Sequence, residues 1–443
     1  MNPILPRQFF VPDGEAHVMP DGRLYLYGSL DISGNDAYCS KEHRVFSTDD
    51  PKLERWIDHG TAFCNTAADS RVPWRPDTVL SAPDAIEKDG KYYMFVCGEP
   101  GFEGVAQADS PAGPFGPARP IPIADGDGID PAVFVDDDGQ AYLFWGQFHL
   151  RGARLNPDMC SIDETTLCQN LLTEEAHGFH EGSSLRKRGG IYYLVYTDIS
   201  RGNASCLSYA TAAHPLGPYQ KRGTIIDNMY CDPKTWNNHG SIAEYGGQWY
   251  VFYHRASQNS IFSRRACAEP IYFNEDGSIS EVEMTSQGAS GPICAYGPVD
   301  ASLACRVFGG AYIAPFDSPG KTAENGDSAE TTRKAESSLL TDGSTVREVL
   351  KGCGRGTWSE GWAEYKYLDF GTGGALRFEI RASGKGRITV KTKNRTILGS
   401  CEVNQDTLTL LSASVQNAPA GIQPVWLFFD GKNITVDYFC FYR

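Results

Sequence analysis

Three carboxylates recur at one phase of a repeated pattern. Asp13 lies eight residues before Asp21, Asp130 eight before Asp138 and Glu181 eight before Gly189, while His239 lies seven before Gly246. Each of the four later residues opens an Asp-Gly or Gly-Gly pair, so the ionisable residues hold matching positions in matching units. Two carboxyl groups on separate elements suit glycoside hydrolysis, in which one protonates the leaving oxygen and the other activates water across the sugar ring. A third carboxylate nearby raises the pKa of the acid, so that it keeps its proton near neutral pH. Taken singly, each residue has a plainer reading. Asp13-Gly14 and Asp130-Pro131 are turn formers, Glu181-Gly182-Ser183 reads equally as a solvated strand end, and a lone His239 reads as a core histidine. The shared phase is what separates the two readings.

The units that carry these residues are hairpins. The runs DGRLYLYGS, DGKYYMFVC, DGQAYLFWG, GGIYYLVYT and GGQWYVFYH begin at Asp21, Asp89, Asp138, Gly189 and Gly246. Asp-Gly and Gly-Gly between apolar runs mark tight hairpins, because the central residues take φ > 0. Each is preceded by another strand-like run: AHVM, DAIEK, PAVFV, SSLRK and SIAEY. Five such units at intervals of about 50 to 70 residues predict an all-β fold, a five-bladed β-propeller, in which matched positions converge on one axis. The alternative is an array of small β-sandwiches. Asp84 stands only five residues before Asp89, which predicts a position off the others' level.

After about residue 300 the character changes. A stretch from about Asp317 to Thr345, rich in Ser, Thr, Gly, Lys and Glu, reads as a linker or surface loops. The runs ALRFEIR, GRITVKTK, VWLFFD and ITVDYFCFYR then predict strands separated by turns. The expected organisation is a propeller over 1–300 and a β-sandwich of jelly-roll type over 301–443. A formal charge of −15 opposes nucleic acid or an anionic membrane as partner. The Met1–Pro6 start lacks a signal-peptide pattern and no apolar stretch is long enough to span a bilayer. Thirteen scattered cysteines with no CxxC pair read as reduced thiols. The expected location is cytoplasmic, or secreted if a leader has been removed. Oligomeric state is not legible.

The residues also resemble a known family. Asn2-Pro3-Ile4, Val11-Pro12-Asp13-Gly14-Glu15-Ala16, Ala82-Pro83-Asp84, Ile129-Asp130-Pro131-Ala132, Glu181-Gly182-Ser183, Asn238-His239-Gly240-Ser241 and Arg264–Ile271 together resemble glycoside hydrolase family 43 over roughly residues 1–290. The resemblance implies Asp13 as general base, Glu181 as general acid and Asp130 as the residue that raises and orients that acid. It implies inversion at the anomeric carbon and exo action on terminal pentoses of an oligosaccharide or polysaccharide, as an α-L-arabinofuranosidase or β-D-xylosidase. A galactofuranosidase, an endo-arabinanase and a non-catalytic sugar-binding propeller are the alternatives. Asp13-Gly14 departs from the family's Asp-Pro. In the family a histidine at the place of His239 holds a hydrated cation, often calcium, in the central channel, and an arginine at the place of Arg265 reaches the substrate or Asp130. Arg264 would then face the opposite way. The C-terminal unit resembles family 6 carbohydrate-binding modules through KYLDFG, ALRFEIR and VDYFCFYR, with Trp358 and Trp362 as a candidate clamp.

Sugar rings stack on aromatic faces. Trp74, in a long loop, is the expected subsite wall, and Phe179 lies beside the acid; Phe10, Trp145 and Trp236 are further candidates. His180, next to Glu181, is a candidate contact for the leaving group, and Asp84 is expected to line or support the cleft.

Overall fold

The computed structural model describes residues 1–99, 101–123, 128–316, 347–352, 360–372 and 374–443. The linker expected over Asp317 to Thr345 and the candidate clamp residue Trp358 lie outside the described residues.

The first 271 residues form five antiparallel sheets, four of four strands and one of three. Their inner strands are Glu15–Val18, Leu80–Lys88, Ala132–Val135, Phe179–Arg188 and Ser241–Tyr245. Each runs into one of the Asp-Gly or Gly-Gly turns. At Asp89-Gly90, Gly189-Gly190 and Gly246-Gly247 both residues have φ > 0, as a two-residue hairpin with matching twist demands. At Asp21-Gly22 and Asp138-Gly139 only the glycine does. There the turn is one residue longer, closed by Met19 N–H to Arg23 O and Asp136 N–H to Gln140 O.

Apolar residues on both faces of the second strands hold the blades together. On Ile191–Asp198, Tyr193 and Val195 enter the core shared with the fifth blade, while Tyr192, Leu194 and Tyr196 enter the core shared with the third. Side chains alternate between faces along a strand, and a blade packed on both sides must be apolar on both. The same sandwiching recurs at all five blade junctions.

The ring closes through the N-terminus. The fifth blade has three strands, and the N-terminal segment lies along its outermost strand, Ser260–Ile271. Ile4 N–H donates to Ala266 O at 3.0 Å, and the Asn2 amide exchanges hydrogen bonds with Ala268. A parallel bridge between Gly14 and Gly240 joins the first inner strand to the start of the last.

Beyond Ile271 the chain enters a nine-stranded sheet that begins at Ile293 and encloses one core of residues such as Phe378, Ile380, Leu427 and Phe439. The strands expected as separate runs are continuous here: Arg377–Thr392 joins two of them and Ile422–Tyr442 joins the other two. Glycines replace the expected turns. A Cβ built on Gly386 would lie 2.5 Å from the Cα of Gly431, so both must be bare for these strands to cross. The two units meet through buried polar contacts, with Arg265 bonded to Glu348 at 2.5 Å and Ser286 N–H to Lys366 O at 2.7 Å.

Candidate active site

Asp13 and Asp130 precede their inner strands by one or two residues, and both adopt left-handed backbone, φ 58° and 54°. That conformation costs an ordinary residue ~1–2 kcal/mol, and Asp tolerates it better than most. Glycine after Asp13 and proline after Asp130 thus accompany the same backbone turn. Glu181 lies within its strand between two register shifts, and Gly182, at φ 55°, packs its bare Cα against the His239 ring.

The Asp13 carboxylate is buried and fully engaged. Ser29 Oγ donates to Oδ2 at 2.6 Å, Arg264 NH1 donates to Oδ1 at 3.1 Å, and His254 Nδ1 stands 3.4 Å from Oδ1. Arg264 is fixed by Asp31, which accepts from its Nε and NH2, each at 2.9 Å. Burial is the largest influence and opposes the charge on Asp13, but the Arg264 guanidinium together with His254 and His239 outweighs it and holds the carboxyl well below the usual range. Asp13 is ionised at any working pH.

Asp130 is the opposite case. It is buried and faces Glu181 and Asp13; burial first, then those two carboxylates, push its pKa well above the ordinary value, and the Gly182 N–H and Arg264 offset this only in part. Glu181 is half-buried and accepts from Gln147 Nε2 at 2.8 Å. His239 Nδ1 lies 3.8 Å from Asp13 Oδ1 and 3.9 Å from Asp130 Oδ2, and burial lowers its pKa despite the Asp13 and Glu181 carboxylates. The His239 imidazole thus stands between Asp13, held charged, and Asp130, raised by burial and its neighbours.

Three expectations need correction. Arg265 turns away from the carboxylates, to Glu348 and the Arg7 carbonyl, and Arg264 takes the inward place. Strand alternation allowed only one of them to face in, and it is the other one. Phe179 is wholly buried against Tyr196 in the blade core, so it offers no face to a sugar. Asp84 is also fully buried, one layer down the channel. Its Oδ1 accepts from His17 Nε2 and Ala85 N–H and its Oδ2 from Val133 N–H, each at 2.7 Å. It ties three blades together and does not line the cleft.

His180 lies beside Glu181 in a cluster with two half-exposed aromatics, its ring edge-on to Phe148 at 5.3 Å and to Trp236 at 6.5 Å. Trp74 is partly buried, edge-on to Phe102. Phe10 lies under Arg265 and Trp145 is buried. Sequence reasoning missed Ser29, Gln147, His254 and the inward role of Arg264.

Among the described residues, one group has metal-ligand spacing: Glu15, His17 and Asp84, two and four residues down the strand from Asp13 and across from it. It is acidic and lies in the central channel, and it does not include His239. Its donors are mostly taken. Asp84 is satisfied as described, and His17 Nε2 presents a proton to it. Arg186 NH2 donates to Glu15 Oε2 at 3.0 Å and to Ala16 O at 2.9 Å. Glu15 Oε1 has no hydrogen-bond partner, and burial together with Asp84 pushes the Glu15 carboxyl up to about 8.

The sequence pattern of glycosyl hydrolases family 43 matches residues 1–279. A xylosidase/arabinosidase of Thermoclostridium stercorarium is 30% identical, over 97% of this chain and 96% of that protein. The crystal structure of a β-xylosidase/α-arabinofuranosidase from a compost microbial metagenome, in complex with xylotriose and in calcium-free form, superposes with a TM-score of 0.55. It is 30% identical and covers 64% of this chain and 97% of its own. An arabinoxylan arabinofuranohydrolase of Bacillus subtilis, 24% identical with a TM-score of 0.54, shares the fold over 100% of this chain and 97% of its own.

Proposed function

The chain belongs to glycoside hydrolase family 43, and we propose that it is an inverting, exo-acting glycosidase that releases single pentoses, α-L-arabinofuranosyl or β-D-xylosyl, from oligosaccharide or polysaccharide ends. The observation that carries this reading is the split in environment: Asp13 is paired with Arg264 at 3.1 Å, while burial and the Glu181 and Asp13 carboxylates raise Asp130 well above the ordinary value. An inverting reaction needs that division between base and acid.

In this reading Glu181 gives its proton to the glycosidic oxygen as the bond to the anomeric carbon breaks. Water attacks that carbon from the opposite face and passes its proton to Asp13, whose orientation is fixed by Ser29 and Arg264. Asp130, electrostatically coupled to Glu181, favours the protonated form of the acid. Two neighbouring carboxyls disfavour a second negative charge between them, more so once a sugar expels water from the site. Proton NMR of the first product tests the proposal, with an inverted anomer expected; a retained anomer makes one of these carboxylates a nucleophile and overturns it.

Calcium enters conditionally. An ion among Glu15, His17 and Asp84 would supply positive charge beneath the reacting carboxylates, and no step passes through it. Its entry requires the Arg186 guanidinium to leave Glu15 and the His17 proton to leave Nε2. For location, the twelve cysteines among the described residues are all free and most are buried, which supports a reducing compartment. Mass measurement of the protein from its native source, with and without thiol alkylation, tests this; disulfides would refute it.

A further inference from the structure

We infer that Arg186 is the resident cation of the propeller channel, filling the one group of metal-ligand spacing among the described residues, Glu15, His17 and Asp84, and that the protein therefore binds no divalent metal there. Arg186 lies on the inner strand of the fourth blade, two residues beyond Ser184, and its guanidinium crosses the channel to the first blade. NH2 donates to Glu15 Oε2 at 3.0 Å and to the Ala16 carbonyl at 2.9 Å, and NH1 donates to the Leu185 carbonyl at 2.9 Å. Ser184 Oγ donates to the same Glu15 oxygen at 3.1 Å. The same NH2 stands 3.4 Å from His17 Nε2, where it meets a second donor, since that nitrogen gives its proton to Asp84.

A metal needs lone pairs, and this group has few to give. Both Asp84 oxygens already accept, the His17 lone pair at Nε2 is capped by a proton, and Glu15 Oε2 takes two hydrogen bonds. Of the four carboxylate oxygens of Glu15 and Asp84, Oε1 of Glu15 alone has no hydrogen-bond partner, and Glu15 is 2% exposed. Calcium takes six to eight oxygens and keeps company poorly with a fixed guanidinium. A guanidinium, unlike an ion, is covalently tethered and cannot be chelated, so positive charge below Asp13 and Glu181 persists whatever the metal supply.

The test uses the full-length protein. After dialysis against chelator and then buffer, elemental analysis should find no stoichiometric metal, and the Tm should be the same in chelator and in millimolar calcium. Arg186→Gln removes the charge and opens Glu15 and Asp84. This variant should melt several degrees lower in chelator, recover with calcium, and give a one-site calcium isotherm that Glu15→Gln in the same background abolishes. Tightly held metal in the native protein, a calcium-raised Tm of the native protein, or a folded Arg186→Gln variant blind to calcium would each overturn the inference. If that variant folds in neither condition, Arg186→Lys decides: with a cation kept it should ignore calcium, and a calcium response as large as a metalloprotein's refutes the claim. Because the readout is metal binding and not hydrolysis, failure here is separable from failure of the glycosidase reading.

Discussion

Replacing Arg264 by Met should move the acid limb of the pH–activity profile upward. Arg264 NH1 lies 3.1 Å from Asp13 Oδ1, and both side chains are buried. With charge centres about 4 Å apart and an effective dielectric of about 20, the attraction is about 4 kcal/mol, or about 3 pH units. His239 and His254 remain nearby, so a rise of about 2 to 3 units in the Asp13 pKa is expected. Asp13 as base works only when ionised, so activity disappears as pH falls through this pKa. In the native protein that fall lies below the usual carboxylate range; in Arg264→Met the acid limb of kcat/KM, which reports the free enzyme, should rise into view. The same linkage acts on stability. A depressed carboxyl pKa stabilises the fold above the unfolded value of about 3.9 and is lost as pH falls through the folded one; Arg264→Met forfeits it. Because Asp31 would also lose its partner, Arg264→Lys is the control: it keeps the charge, so its limb should stay low even if kcat falls. Initial rates on an aryl arabinofuranoside from acid to neutral pH decide. An Arg264→Met limb that coincides with the native one would show that the guanidinium does not set the ionisation of Asp13.

Three further outcomes follow from the same geometry. Glu181→Gln should lower kcat by about 10²-fold or more on substrates with poor leaving groups, the usual scale for a general acid, and much less on activated aryl glycosides; equal losses across a leaving-group series would remove it from that role. Asp130→Asn takes away the charge that favours protonated Glu181, so the basic limb of kcat should move to lower pH, whereas an unmoved limb would leave Asp130 a purely structural residue. Glu348→Gln leaves the buried Arg265 charge without its partner, at a cost of about 3–5 kcal/mol, and a Tm within error of the native protein would show that the two units are not joined there.

The fold was legible because its turns are chemically restrictive. Gly22, Gly90, Gly139, Gly190 and Gly247 all sit at positive φ, so the turns mark the hairpins and the hairpins mark the blades. Counting back from those turns identified the strand-end residues, and Asp84, three residues closer to its turn, lies one layer deeper. Counting gives parity, however, and parity is lost at a bulge. Around Glu181 the register shifts twice, so Phe179, the same parity as the acid, enters the core. For Arg264 and Arg265 the alternation was legible but not which of the two faces inward. Ser29 and Gln147 belong to no periodic pattern; they reach Asp13 and Glu181 from the far ends of second strands, where nothing local marks them. Arg186 did carry a signal, an arginine on an inner strand at the parity of Ser184, but a charge in a strand-like run reads first as a solvated face.

The adjacency of Arg264 and Arg265 has a mechanical consequence. Both belong to the strand that closes the ring, and its two faces are pinned by buried ion pairs to opposite partners: Arg264 to Asp13 and Asp31 of the first blade, Arg265 to Glu348 of the C-terminal sheet. The N-terminal segment is held along the same strand, because Arg265 NH1 also donates to the Arg7 carbonyl at 2.6 Å and Ile4 N–H donates to Ala266 O. The three-stranded blade that closes the ring also aims the guanidinium that contacts Asp13. The C-terminal sheet therefore does more than follow the propeller in sequence. It supplies the anion that fixes the outward arginine, and with it the strand whose inward arginine the base depends on. An unpaired buried Arg265 would have to seek water, and the backbone could satisfy it only by shifting the residue next to it, which is Arg264.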